Sequence, residues 1–184
     1  MKYNRENSFR HDEHALAAPR RTRYNRAMPQ LDPVDFDAAL PPMARLLGVD
    51  LGTKTIGLAL SDLSRTVASA LETIRRVKFT IDIERFFALI DEHKVAGVVL
   101  GLPVNMDGTS GPRVQATRAF AREVLKRRDL NLTFQDERLS TAAVDRMMIE
   151  ADLSRARRAE LVDKLAATYI LQGYLDGASA RLRR

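Results

Sequence analysis

The sequence has no cysteine, no tryptophan and only three histidines in 184 residues. Without cysteine there can be no disulfide, no thiolate nucleophile and no cysteine-based metal site. His11 and His14 lie in a polar N-terminal stretch, which leaves His93 for the part expected to fold. Neither a Ser-His-Asp triad nor a histidine-rich zinc site is easily assembled from that stock. Aromatic residues, at 6%, offer little for a platform on which nucleobases stack. No apolar run approaches the ~20 residues of a membrane span, and the N-terminus lacks the apolar centre of a signal peptide. Nothing directs export or insertion, so a cytoplasmic location and no membrane partner are expected. Chemistry in this chain falls mainly to carboxylates.

Hydrophobic residues make up 45% of the chain and charged residues 29%, which suits one globular domain of about 140 residues plus a non-core segment. Thirty basic residues against twenty-four acidic ones give a net charge of +6 and a pI near 10.0. That balance is expected of a protein whose partner is a polyanion.

Residues 1–26 carry Arg10, Arg20, Arg21, Arg23 and Arg26 with no sustained period and read as a disordered basic arm. Residues 27–44, with Asp32, Asp35, Asp37 and Pro41-Pro42, read as an acidic, proline-bearing linker. The folded domain is expected over 45–184, and Met28 and Met43 are each candidates for the true start. The segments "LLGVDLG" and "TIGLALSD" predict a hairpin, and a strand near "SALETIRR" completes a meander. Ile83, Phe86, Phe87 and Ile90 stand at helical spacing within residues 80–94, and "AGVVLGLP" follows as a short buried strand. A helix from Gly111 to about Arg128, a fifth strand "LNLTFQD" and helices near 140–151 and 158–178 complete the chain. Three strands followed by alternating helix and strand predict an α/β fold. Its core is a five-stranded mixed sheet, antiparallel over the first three strands and then parallel, flanked by helices: a ribonuclease H-like layout.

Asp50 interrupts an apolar strand; it either caps the turn that follows or stands where the strand opens into a site. Asp136 and Glu137 emerge together at the end of the fifth strand, where alternation turns only one of them toward a shared site. Glu137 and Arg138 are equally readable as a local ion pair before a helix. Asp163 has Ala166, Ala167 and Ile170 as helical neighbours and reads as a margin residue or a third acid. Three converging carboxylates repel, by about 4 kcal/mol for a pair at ~4 Å and an effective dielectric of 20. Hard divalent cations relieve that repulsion, so Mg²⁺ or Mn²⁺ held by Asp50, Glu137 and Asp163 is the expected cofactor, with Asp136 a weaker fourth candidate. The loop "GLPVNMDGTSGPR" supplies Asn105 and Arg113 as candidate backbone contacts, and Lys54 and Arg138 stand beside the acids. Arg155, Arg157 and Arg158 extend that basic footprint.

The motifs "GVDLGTKTIGLALSD", "GLPVNMDGTSGPR", "DERLST" and "VDKLAATYILQGYLD", in this order and spacing, resemble the YqgF/RuvX family of ribonuclease H-like proteins over about residues 45–177. The resemblance implies a nuclease, acting either on the 5′ end of pre-16S ribosomal RNA or on Holliday junctions. By motif position it places the family's acids on Asp50, Glu137 and Asp163. The chain departs from RuvC-type resolvases in having "GLPV" and no acid at the end of its fourth strand. A resolvase would act as a homodimer, because a junction offers two equivalent strands, whereas a monomer suits RNA processing. Two other classes remain open: a non-catalytic nucleic-acid-binding factor, and an ATPase of the actin and sugar-kinase type suggested by "DLGT". The second needs two such domains, for which 184 residues leave no room.

Overall fold

The computed structural model describes residues 30–104, 111–136 and 155–181, the last span with its side chains from residue 165 onward. Its centre is a five-stranded sheet. The strands are β1 (Arg45–Leu51), β2 (Thr55–Ser61), β3 (Ala68–Arg75), β4 (Val95–Leu102) and β5 (Asn131–Asp136), in the order β3-β2-β1-β4-β5. β1 pairs antiparallel with β2 and parallel with β4, β2 pairs antiparallel with β3, and β4 pairs parallel with β5. This is the mixed ribonuclease H-like sheet expected from the order of the elements. β1 lies at its middle, and its run Leu46 to Val49 is buried on both faces, which explains an almost uninterrupted apolar sequence.

Alternation along the strands separates two cores. Leu47, Val49, Leu58, Val98 and Leu100 pack with Phe86 of α2 (Phe79–Glu92) and with Phe120 of α3 (Pro112–Arg127) on one face. Leu46, Ala59 and Val99 pack with Ala167 and Leu171 of α4 (Arg155–Arg181) on the other. Gly48 sets how closely α4 lies on the sheet. A Cβ there would stand 2.6 Å from Leu171 Cβ and 2.9 Å from Ala167 O, a space no other residue could enter without moving the helix.

The stretch expected as a linker contains a helix, α1 (Pro33–Ala39). Asp32 caps it, accepting from the backbone N–H groups of Val34 at 2.8 Å and Asp35 at 3.0 Å, with Pro33 in the first helical turn. Phe36 is fully buried, edge-on to Tyr174 at 5.6 Å. Leu31 ties the segment to β5: its N–H donates to Leu132 O at 2.8 Å and its carbonyl accepts from Thr133 Oγ1 at 3.0 Å. A seven-residue helix is too short to display a period, so its aspartates and prolines dominate the sequence signal. The expected helix near 140–151 lies outside the described residues.

Candidate active site

β1, β4 and β5 run parallel, so their C-terminal ends share one edge of the sheet, and the β1–β2 hairpin tip and the end of β3 stand on that edge too. Such edges are where residues from separate strands converge. Asp50 is half-buried there. It follows Leu46 and Gly48 in alternation, which puts it on the sheet face covered by α4.

Its neighbours in that row lack side chains on both flanks. Asp50 is paired with Gly57 of β2. On the other side, the register of β4, with Val49 opposite Leu100, brings Gly101 level with Asp50. One strand further out the same row continues to Thr73, opposite Gly57, and to Gln135, opposite Gly101. The row thus reads Thr73, Gly57, Asp50, Gly101, Gln135: a carboxylate between two glycines, walled by two polar side chains about 10 Å away on either hand. Thr73 Oγ1 is buried without a hydrogen-bond partner among the described residues.

The direction of α4 brings its N-terminal half toward this edge. Past its middle, Gln172 accepts from Ala68 N at 2.9 Å and donates to Thr66 O at 3.1 Å, beside the start of β3 and the far end of the sheet. Ala167 lies over Gly48, and position 163 stands one helical turn earlier, nearer the level of Asp50. The side chain of Asp163 lies outside the described residues, as do Asn105, Glu137 and Arg138. Asp136 closes β5 and is exposed. Thr133 and Gln135 share the face of Asp50, so alternation assigns Asp136 to the opposite one. Lys54 is exposed at the hairpin tip and Arg113 in the first turn of α3.

No group of three His, Asp or Glu side chains suited to a metal occurs among the described residues. His93 follows α2, 3.8 Å from Glu92, at the opposite end of the sheet from Asp50. The resolved shifts of acidity also belong to other places. Burial, then Asp37, pushes the Tyr174 hydroxyl far above its usual range, and hydrogen bonds from Ser64, Val67 and Thr66 hold Asp62 well below that of a carboxylate. Sequence reasoning missed Gly57, Gly101, Thr73 and Gln135, because cross-strand register is invisible until strand order is known.

Residues 44–177 match the family model RuvX, described as Holliday junction resolvase. A protein of Paramagnetospirillum magneticum named "Putative pre-16S rRNA nuclease" is 58% identical over 152 residues, covering 83% of this chain and 98% of its own. One of the same name from Rhodobacter capsulatus is 61% identical over 142 residues, covering 77% and 89%. Among solved structures, the yeast mitochondrial Holliday junction resolvase Ydc2 overlaps 80% of this chain and 84% of its own, with a TM-score of 0.45 and 13% identity. The fold assignment stands on the strand order and not on that overlay.

Proposed function

This chain belongs to the RuvX family, and from that premise we propose that it is a metal-dependent endonuclease that hydrolyses phosphodiester bonds in structured RNA, processing the 5′ end of pre-16S ribosomal RNA. The observation that carries the reading is Asp50: a carboxylate on the central strand, at the convergent edge, between two glycines. Alternation along β5 turns Asp136 away from the face of Asp50, which leaves Glu137 as the proposed companion. Asp163 is the third member, one turn before the helix position that lies on Gly48.

The donors fit a hard divalent cation. They are carboxylate oxygens, the chain has no thiol, and its described histidine is remote, so Mg²⁺ or Mn²⁺ suits them better than zinc. Asp50, Glu137 and Asp163 would hold it. Bound there, the cation supplies positive charge to the phosphodiester and acidity to a water. The protein's own groups do the rest. Asn105 and Arg113 hold the sugar-phosphate backbone in place, and Lys54 and Arg138 offset flanking phosphate charge. The water oxygen bonds to phosphorus, one bridging P–O bond breaks, and the departing oxygen takes a proton.

The family description favours a second reading, cleavage of four-way DNA. Against it, Gly101 stands level with Asp50 on the fourth strand, with no acid at that end. The test presents a pre-16S RNA fragment and a DNA junction side by side with Mg²⁺ or Mn²⁺. RNA cutting alone, lost in Asp50→Asn, supports the proposal; cutting of the junction alone replaces it with the resolvase. If neither is cut, the protein is a binding factor without catalysis.

A further inference from the structure

Arg75, which ends β3, and the three residues after it, Arg76, Val77 and Lys78, are exposed in a row, three of the four cationic. Thr55 pairs with Arg75, which brings this end against the β1–β2 hairpin tip. Two bonds fasten it there: Arg76 N–H donates to Lys54 O at 2.9 Å, and Arg76 Nη1 donates to Gly52 O at 2.6 Å. Lys54 is therefore fixed beside the arginines, and four cations occupy one corner of the sheet edge. Among the described residues none of the four is ion-paired, whereas Arg85, Arg127, Arg128 and Arg181 each have an acid.

The corner also faces the right way. Ile74 points into the core under α2 and α3, so alternation turns Arg75 to the face of Asp50. It stands at the next position on that face beyond Thr73, which shares the row of Asp50. β3 lies two strand spacings from β1, about 10 Å. That is a distance at which a backbone seated on Asp50 brings a flanking phosphate to the corner. Exposed Val77, 78% accessible, gives a sugar an apolar surface between the charges.

We propose that Arg75, Arg76 and Lys78, with Lys54, form a phosphate-binding step that holds the nucleic-acid backbone beside the Asp50 site without reading sequence. This rests on the nuclease reading for its ligand, but not on catalysis. Arginine forks grip phosphate in pairs of hydrogen bonds, and each neutralised phosphate releases counterions. The step therefore shows itself in salt dependence.

The experiment measures binding of a pre-16S RNA fragment and a four-way DNA junction by fluorescence anisotropy in EDTA, between about 50 and 200 mM salt. The full-length protein is compared with Arg75→Ala/Arg76→Ala and Arg75→Lys/Arg76→Lys. A charge-matched control is Arg118→Ala/Arg122→Ala on exposed positions of α3, which covers the other face. Melting curves check that each is folded, and the lysine pair keeps the test usable if loss of the Gly52 bond disturbs the hairpin. Expected in the alanine pair is a log–log salt slope shallower by about 0.7 for each single-strand phosphate that the protein no longer neutralises. The lysine pair should keep the slope, and the α3 pair should match wild type. The ligand whose slope changes is the one that uses the step. An unchanged slope in the alanine pair, or an equal change in the α3 pair, overturns the step while leaving the nuclease reading intact. Absence of binding by wild type to either ligand overturns both.

Discussion

At Gly48 the central strand and α4 approach so closely that one added carbon would meet both Leu171 Cβ and Ala167 O. Gly48→Ala is therefore expected to destabilise the fold by about 1–3 kcal/mol, the usual cost of overpacking. In urea unfolding this is a lower midpoint at unchanged slope; a midpoint equal to wild type would mean that α4 is not fixed on the sheet there. Asp50 carries a different expectation. Asparagine matches aspartate in size and polarity, so Asp50→Asn at this half-buried position should melt close to wild type. Loss of cleavage in a destabilised Asp50→Asn would point to a broken fold and not to a lost ligand. Asp50 was legible as an anomaly in "LLGVDLG", since a charge in an apolar strand demands a reason. Its glycine flanks were not, because Gly57 and Gly101 become its neighbours only through strand pairing.

Individual elements show where local signals were sufficient and where they failed. The β1–β2 hairpin was readable from two apolar runs around a Gly-Thr-Lys turn, and α3 from Gly111-Pro112 at its start. The helix α1 was not readable, since Phe36 is its lone fully buried side chain and aspartates surround it. It is held by tertiary contacts: Asp37 accepts from Tyr174 OH at 2.6 Å and from Arg181 at 3.0 and 2.9 Å. Asp37→Ala leaves the buried Tyr174 hydroxyl and Arg181 without that acceptor. A loss of about 1–3 kcal/mol is expected by thermal or urea unfolding, and a loss below ~0.5 kcal/mol would mean the interaction holds nothing. The loop between β2 and β3 depends on Asp62, which accepts from Thr66 N at 2.7 Å and Val67 N at 2.9 Å and from the Ser64 hydroxyl. These bonds, the one from Ser64 foremost, lower its pKa in the folded state. Its stabilising contribution is thus complete above the unfolded carboxylate value of about 3.9 and is lost as pH falls through the folded value. Wild type should be more stable than Asp62→Asn at pH 7, with the difference shrinking steadily below about pH 4; a constant difference would exclude this linkage.

Across the described residues, the strand order places Asp50 and a basic corner on one edge of one sheet, with α4 over the face that Asp50 shares with Arg75. The ribonuclease H-like class followed from the succession of strands and helices, because three consecutive strands cannot all be parallel and later βα units cannot easily be otherwise. Which acids share a face did not follow. It needs the alternation of β5, counted from Thr133 against Leu31, to turn Asp136 away from Asp50. Binding and catalysis should separate on this edge: cations at the corner set affinity and its salt dependence, and carboxylates set the chemical step. The most direct test is single-turnover cleavage of a pre-16S RNA fragment, titrated with Mg²⁺, by wild type and Asp50→Asn. The account predicts no cleavage in EDTA and a rate that saturates with Mg²⁺ in wild type. In the variant it predicts a rate lower by more than the ~100-fold at which loss of a mere outer-shell partner tops out, at unchanged RNA affinity. Cleavage in EDTA, or a variant within a few fold of wild type, would contradict it.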